Sequence, residues 1–272
     1  MKQPRIALFA LTGFGNTVLP ALCAEGFKPE RLVTRAETGP FPYYDERPLT
    51  ELAHELGVPC SFGTEGEERV AADPPDIVLC ATYHRMLGAS LLGKVRWAIN
   101  LHPSLLPRYR GANPSYWVIR NGETETGVTA HLMSAAADAG DIVWQQKLAL
   151  SEMETQGSLR RRLAELAARA AVDTLRAIRA ATVSRTPQDD GQSSTFGRPS
   201  DADRTLNPSW TMAEGARAIR ALSPFPGARA DGNRIVAQVV GPVETRMSES
   251  LEPGLRSLSF RDGKLMVRLR PE

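Results

Sequence analysis

The chain has 272 residues, 42% of them apolar, which is enough for one full globular domain with a small appendage. Its 33 basic and 31 acidic residues almost cancel, so it lacks the strong positive field of a non-specific nucleic-acid binder, and small-molecule substrates are expected first. Cys23, Cys60 and Cys80 show no metal-ligand spacing, and the apolar run Ile6 to Leu11 is too short for a signal peptide or a membrane span. Reduced thiols, no bound metal, no membrane contact and a cytoplasmic location follow as expectations.

Ile6 to Ala10 is a continuous apolar run, the pattern of a strand covered on both faces of a parallel sheet. The turn Leu11 to Asn16 leads into a helix marked by Val18, Leu19 and Leu22. Thr12 and Gly13 could there offer an anion-binding helix start, although the dinucleotide fingerprint is missing and a plain tight turn fits as well. A strand is expected over Arg31 to Thr34, and prolines mark Glu37 to Tyr44 as a loop. Its Tyr43 and Tyr44 could stack on a base or sugar, or simply pack as a surface lid. A helix over Pro48 to Leu56, an edge strand over Val58 to Cys60, a helix within Gly63 to Pro75 and a buried strand over Asp76 to Ala81 continue the alternation of a parallel α/β sheet. The last strand ends in Thr82 to Leu87, at the edge where open parallel sheets hold ligands.

Trp97 to Leu101 is the next strand. Period-two alternation puts Asn100 and His102 on one face, and Pro103 and Pro107 then stiffen the loop Pro103 to Gly111. Asp138 lies in the small-residue run Ala135 to Asp141. An amide, an imidazole and a carboxylate would suit oxyanion stabilisation and proton removal in acyl transfer, with Asp138 raising the pKa of His102. Taken singly, Asn100 and His102 equally suit a strand end and a hydrogen-bonded core histidine. Asn113 reads as the cap of a helix opened by Pro114. Thr126 to Met133 and Ile142 to Leu150 read as paired strands, with His131 structural. Thr155 to Ala180 carries an apolar stripe through Leu159, Leu163, Leu166, Val172, Leu175 and Ile178, and its arginines read as a solvated face.

Pro, Asp, Gly and Ser dominate residues 186–208, which gives the expected division: a catalytic domain over 1–185, a linker, and a small C-terminal domain over 209–272. The latter has a helix over Thr211 to Leu222 and short strands near Ile235 to Val240, Leu255 to Phe260 and Leu265 to Leu269. Such an appendage could serve a homodimer interface or a substrate wall.

The string Asn100 to Gly111, followed at fixed spacings by Asn121 to His131 and Asp138 to Asp141, resembles the formyltransferase family that uses 10-formyltetrahydrofolate. Within it, Arg108 to Gly111, Asn121 to Thr129 and Pro224 to Gly227 are most similar to enzymes that act on nucleotide-linked amino sugars, of the lipid A 4-amino-arabinose type. The resemblance implies a Rossmann-like, mostly parallel sheet flanked by helices, with a small C-terminal α+β appendage. It implies formyl transfer to the primary amine of an amino sugar, with 10-formyltetrahydrofolate as co-substrate and no metal. Asn100, His102 and Asp138 would then be catalytic, and Arg85, Met86, Leu87, Ala135 and Asp141 would line the folate pocket. Thr12, Gly13, Ser104, Arg110 and Gly111 would face the acceptor. Methionyl-tRNA is the second acceptor considered, although the C-terminal region is short for that branch and its long basic insertion is missing. A non-catalytic folate- or partner-binding module is the alternative of another class.

Overall fold

Uninterrupted apolar runs set the centre of a seven-stranded sheet. The computed structural model describes residues 3–230, 234–242 and 254–270. β1 (Ile6–Ala10) is buried along its whole length and leads into α1 (Phe14–Ala24), followed by β2 (Arg31–Thr34), α2 (Leu49–Glu55), β3 (Cys60–Phe62), α3 (Gly63–Ala72) and the fully buried β4 (Ile77–Ala81). A one-turn helix, α4 (Ala89–Leu92), precedes β5 (Trp97–His102). These five strands are parallel, as expected where helices cover both faces. The edge strand expected at Val58 to Cys60 begins two residues later, at Cys60.

Beyond β5 come β6 (Arg110–Gly111), α5 (Pro114–Arg120) and the antiparallel pair β7 (Glu125–Leu132) and β8 (Ile142–Ala149). The sheet order is β3-β2-β1-β4-β5-β7-β8. α6 (Gln156–Ala180) lies across it and buries Leu159, Leu163, Leu166, Val172 and Leu175. Thr155 starts this helix by accepting the Ser158 N–H on its side chain, which satisfies one of the free amides of the first turn. Asn113 precedes α5 as expected but in a left-handed conformation with no capping hydrogen bond from its side chain, whose Oδ1 lies 2.9 Å from Gln156 Nε2.

The stretch 186–208 does more than connect. It returns to the main sheet's ligand edge, where β9 (Thr195–Phe196) pairs in parallel with β6. Composition alone suggests a loop because a two-residue strand has no periodicity to display.

After it, α7 (Met212–Ala221) is capped by Thr211, with Glu214 Oε2 accepting the Thr211 N–H at 2.7 Å. β10 (Ala228–Ala230), β11 (Arg234–Pro242), β12 (Leu255–Phe260) and β13 (Gly263–Leu269) form an antiparallel sheet in the order β10-β11-β13-β12. Of these, β10 was not evident from the sequence. The buried cluster that holds Leu8 and Leu79 also holds Ile219, Leu222, Val236, Leu258 and Phe260, so the apolar core runs without interruption into the C-terminal sheet. The architecture is a mostly parallel α/β sheet with helices on both faces and a small C-terminal α+β unit.

Candidate active site

The site grows from strand register. In the β5–β7 ladder Asn100 stands opposite His131, and His102 opposite Thr129. Opposed residues of an antiparallel pair share a face, so all four side chains emerge on the same side of the sheet. Asp138 reaches them from the loop after β7, in a left-handed conformation at φ 54°.

Asp138 Oδ1 lies 3.2 Å from Asn100 Nδ2, 3.5 Å from His102 Nδ1 and 3.4 Å from His131 Nε2, and Oδ2 accepts the Gly111 N–H at 2.9 Å. His131 Nε2 is also 3.2 Å from Asn100 Nδ2. Its Nδ1 lies 2.9 Å from the Leu132 carbonyl, which requires a proton on Nδ1; Nε2 stands between two partners, accepting from the Asn100 amide when bare and donating to Asp138 when protonated. His131 is therefore part of the site, contrary to its expected structural role. The missed signal is the pairing with Asn100, which a single strand's alternation does not reveal.

His102 is held from the other side. Its Nε2 lies 2.8 Å from the Tyr109 carbonyl, so that nitrogen carries a proton and Nδ1 is the one left to titrate towards Asp138. The carbonyl is placed by a network within the loop. The Ser104 hydroxyl donates to the Arg108 carbonyl at 2.9 Å, Thr129 Oγ1 donates to the Ser104 carbonyl at 2.7 Å, and Gln145 Nε2 donates to the Leu106 carbonyl at 2.8 Å. Gly111, at φ +91°, turns the chain where an added Cβ would sit 2.4 Å from the Phe196 carbonyl oxygen.

The electrostatics differ from expectation. Asp138 does pull the His102 pKa upward, but burial of the imidazole, 4% exposed, outweighs it and lowers the pKa, leaving a neutral ring. Burial by itself would raise the Asp138 pKa. The His131 hydrogen bond, the imidazole of His102 and the Gly111 N–H together reverse that and hold the carboxyl well below its usual range.

The four residues stand in a cleft of about 630 Å³. Arg85, Met86, Leu87 and Gly111 line it, with Arg85 Nε 2.7 Å from Glu67. The other expected contacts fall elsewhere. Ala135 and Asp141 are absent from the lining, where Ala136 and Ala137 of the same loop stand instead. Ser104, wholly buried, is occupied by the loop network. Arg110 points away, donating to Gln188 at 2.8 Å and to Asp190 at 2.8 Å.

Thr12 and Gly13 also lie outside the lining, and Thr12 donates to the Glu37 carboxylate. A Cβ on Gly13 would sit 2.6 Å from the Phe41 ring, so aromatic side chains and a carboxylate occupy the turn where an anion was expected. Two further sets of residues come from segments with no local site signal. Gln188 Nε2 donates to the carbonyls of Asp138 at 2.8 Å and Gly140 at 2.7 Å, clamping the loop that carries the carboxylate. Arg160, Arg198 and Arg204 line the cleft. Among the described residues no group of three or more His, Cys, Asp or Glu is arranged to hold a metal ion, and no helix is long and apolar enough to cross a membrane.

Residues 52–175, which include Asn100, His102, His131 and Asp138, match the formyl transferase family. The chain carries a formyl transferase domain. Its fold extends over whole structures of that kind. The N-formyltransferase from Helicobacter canadensis, solved with folinic acid and dTDP-3-aminofucose, is 19% identical, with 98% of this chain and 99% of that one covered and a TM-score of 0.76. WlaRD, a sugar 3N-formyl transferase solved in the presence of dTDP and 5-N-formyl-THF, is 16% identical over 99% of this chain and 98% of that one, with a TM-score of 0.75. HypX from Aquifex aeolicus, solved with tetrahydrofolic acid, is 17% identical over 98% of this chain but 44% of its own, with a TM-score of 0.69. At these identities the likeness establishes a common fold.

Proposed function

We propose that this formyl transferase moves a formyl group from 10-formyltetrahydrofolate to the primary amine of a nucleotide-linked amino sugar. The observation that carries the reading is the meeting of Asn100, His102, His131 and Asp138 at the cleft. The ligands with which the two formyltransferases of the same fold were solved, a folate with a dTDP-sugar or dTDP, support that pairing of substrates.

The neutral amine attacks the formyl carbon, and the nitrogen's surplus proton passes to His102 Nδ1, the basic nitrogen of a ring kept neutral by burial. Asp138, 3.5 Å away, stabilises the imidazolium that forms. The Asn100 amide, whose two contacts at 3.2 Å are at the long end of the hydrogen-bond range, exchanges one of them for the developing oxyanion. As the oxyanion collapses, the carbon–nitrogen bond to the folate breaks, and the proton on His102 goes to the departing nitrogen. Ion and hydrogen-bond pairing is then as it was at the start.

Residues 1–185, completed at the site by the returning stretch 186–208, act as the catalytic unit, with 209–272 as appendage. The three unpaired cysteines support a reducing compartment such as the cytoplasm. To test the reading, 10-formyltetrahydrofolate labelled in the formyl group is incubated with nucleotide-linked amino sugars, free amino sugars and methionyl-tRNA in parallel. Label in a nucleotide-linked amino sugar is expected. Label only in methionyl-tRNA, or folate binding with no amine formylated, would refute it.

A further inference from the structure

Arg85 of the cleft wall, and several arginines outside the lining, are neutralised within the chain. Arg85 pairs with Glu67 at 2.7 Å, Arg110 with Asp190 at 2.8 Å, Arg108 with Glu123, and Arg162 with Glu154. Arg160, on α6 among residues the sequence marks as a solvated arginine face, is different. It lines the cleft and, like Arg198, pairs with no carboxylate among the described residues, but unlike Arg198 it also holds a buried Nε with no acceptor.

Its guanidinium carbon lies 4.3 Å from the Tyr43 ring centroid and 5.7 Å from that of Phe14. Ring contacts use the flat faces of a guanidinium and leave its in-plane N–H groups free to donate. The Arg160 Nε is buried and has no acceptor. The Nε of Arg204, also in the lining, is in the same condition, although one of its terminal nitrogens lies 3.7 Å from the exposed Asp201. Both arginines line the cleft together with Asn113 and Pro114. Arg160 is one turn from Gln156, which bonds Asn113, while Arg204 adjoins Tyr116, whose hydroxyl donates to the neighbouring Asp203 carbonyl at 3.1 Å.

A guanidinium withdrawn from water without a counter-ion is costly, and burial lowers the pKa of Arg160 accordingly. An anion supplied by a ligand would repair both the missing charge and the unmet donors. A phosphate is an anion whose oxygens match the planar fork, and a nucleotide-linked acceptor supplies two. The turn at Thr12 and Gly13, which could have offered an anion site or been a plain tight turn, is filled by Phe41, Tyr44 and Glu37.

We propose that Arg160, assisted by Arg204, is the residue that recognises the negatively charged diphosphate of the acceptor and so decides that nucleotide-linked rather than free amino sugars are used. The proposal rests on the amino-sugar reading above for its biological meaning, but its test does not depend on turnover. dTDP and UDP are titrated calorimetrically into the wild-type full-length chain and into Arg160→Gln and Arg160→Lys, with 5-formyltetrahydrofolate binding measured on each as a control for folding. Loss of a charge-assisted pair predicts roughly ten- to a hundredfold weaker nucleotide binding in Arg160→Gln, partial recovery in Arg160→Lys and unchanged folate binding. Where turnover is measured, KM for the nucleotide sugar should rise more than kcat falls. Nucleoside diphosphates that bind Arg160→Gln as tightly as wild type, or that do not bind wild type at all, would overturn the proposal. A wild-type chain that binds dTDP or UDP through Arg160 yet formylates no amino sugar would leave this inference standing and defeat the functional reading instead.

Discussion

Asp138→Asn keeps the shape of the side chain and removes its charge, so it isolates what the carboxylate does for His102. In the free protein the imidazole is neutral, and the charge on Asp138 matters most once His102 has taken the amine's proton. At the 3.5 Å separation, an effective dielectric constant of about 20 to 40 gives an interaction of about 2–5 kcal/mol. Lost from the transition state, that is roughly a 50- to 3,000-fold fall in kcat/KM for formyl transfer. The Gly111 N–H can still donate to the amide oxygen of the variant, so folding should be little affected. The assay is the pH dependence of kcat/KM, followed by release of tetrahydrofolate. Since Asp138 opposes the burial that lowers the His102 pKa, its neutralisation should also move the acidic limb of the profile to lower pH. A variant that keeps more than about a tenth of wild-type kcat/KM, or whose acidic limb moves upward, would show that this carboxylate does not support a protonated His102.

Three other outcomes are expected. Gly111→Ala forces a side chain into a φ of +91° and a Cβ to within 2.4 Å of the Phe196 carbonyl oxygen, so urea unfolding should show a loss of about 2–4 kcal/mol; an unchanged midpoint would mean that the chain turns differently there. Gln188→Ala frees the Asp138 loop from its clamp and should lower kcat with little change in the folate dissociation constant, while Gln188→Glu, which keeps the size but loses the amide donor, should not restore it. The His102 ring, with its pKa lowered by burial, stays neutral in the folded protein below the ordinary histidine value of about 6.5 while the unfolded chain takes up a proton, so stability falls as the pH drops through that value. His102→Gln removes this contribution, and the stability difference between about pH 7 and pH 5.5 should narrow; equal slopes in variant and wild type would contradict a buried neutral ring.

How much of this was legible in the sequence depended on whether a residue's role is set locally or by return of the chain. The buried runs Ile6–Ala10 and Ile77–Ala81 show no polar alternation and so declare central strands. Asn100 and His102 are one residue apart on a strand, and periodicity alone puts them on one face. Asp138 could be singled out because a carboxylate stands in a run of small residues. His131 was harder to read, since its partner is fixed by the β5–β7 register. Gln188, Phe196, Arg198 and Arg204 were legible only as parts of a linker. They lie in a stretch whose composition spells a loop, and only tertiary contact brings that loop back against Gly111 and the Asp138 turn.

The misplaced expectations have a common cause as well. Thr12 and Gly13 have the look of an anion cradle until Phe41, Tyr44 and Glu37 arrive from the following loop. Ser104 and Arg110 sit in the motif yet spend their donors on positioning its backbone. A motif of this length mixes residues that touch substrate with residues that hold the loop, and the two kinds are separated only by where each donor finds its acceptor.

The central claim is that the transferable carbon rests between Asn100, His102 and Asp138, and a crystal structure with 5-formyltetrahydrofolate tests it most directly. The account predicts the pterin against Arg85 to Leu87 and the formyl oxygen within hydrogen-bonding distance of Asn100 Nδ2, with His102 Nδ1 facing the formyl carbon. A folate bound with its formyl group away from these side chains, or seated in another part of the molecule, would contradict it.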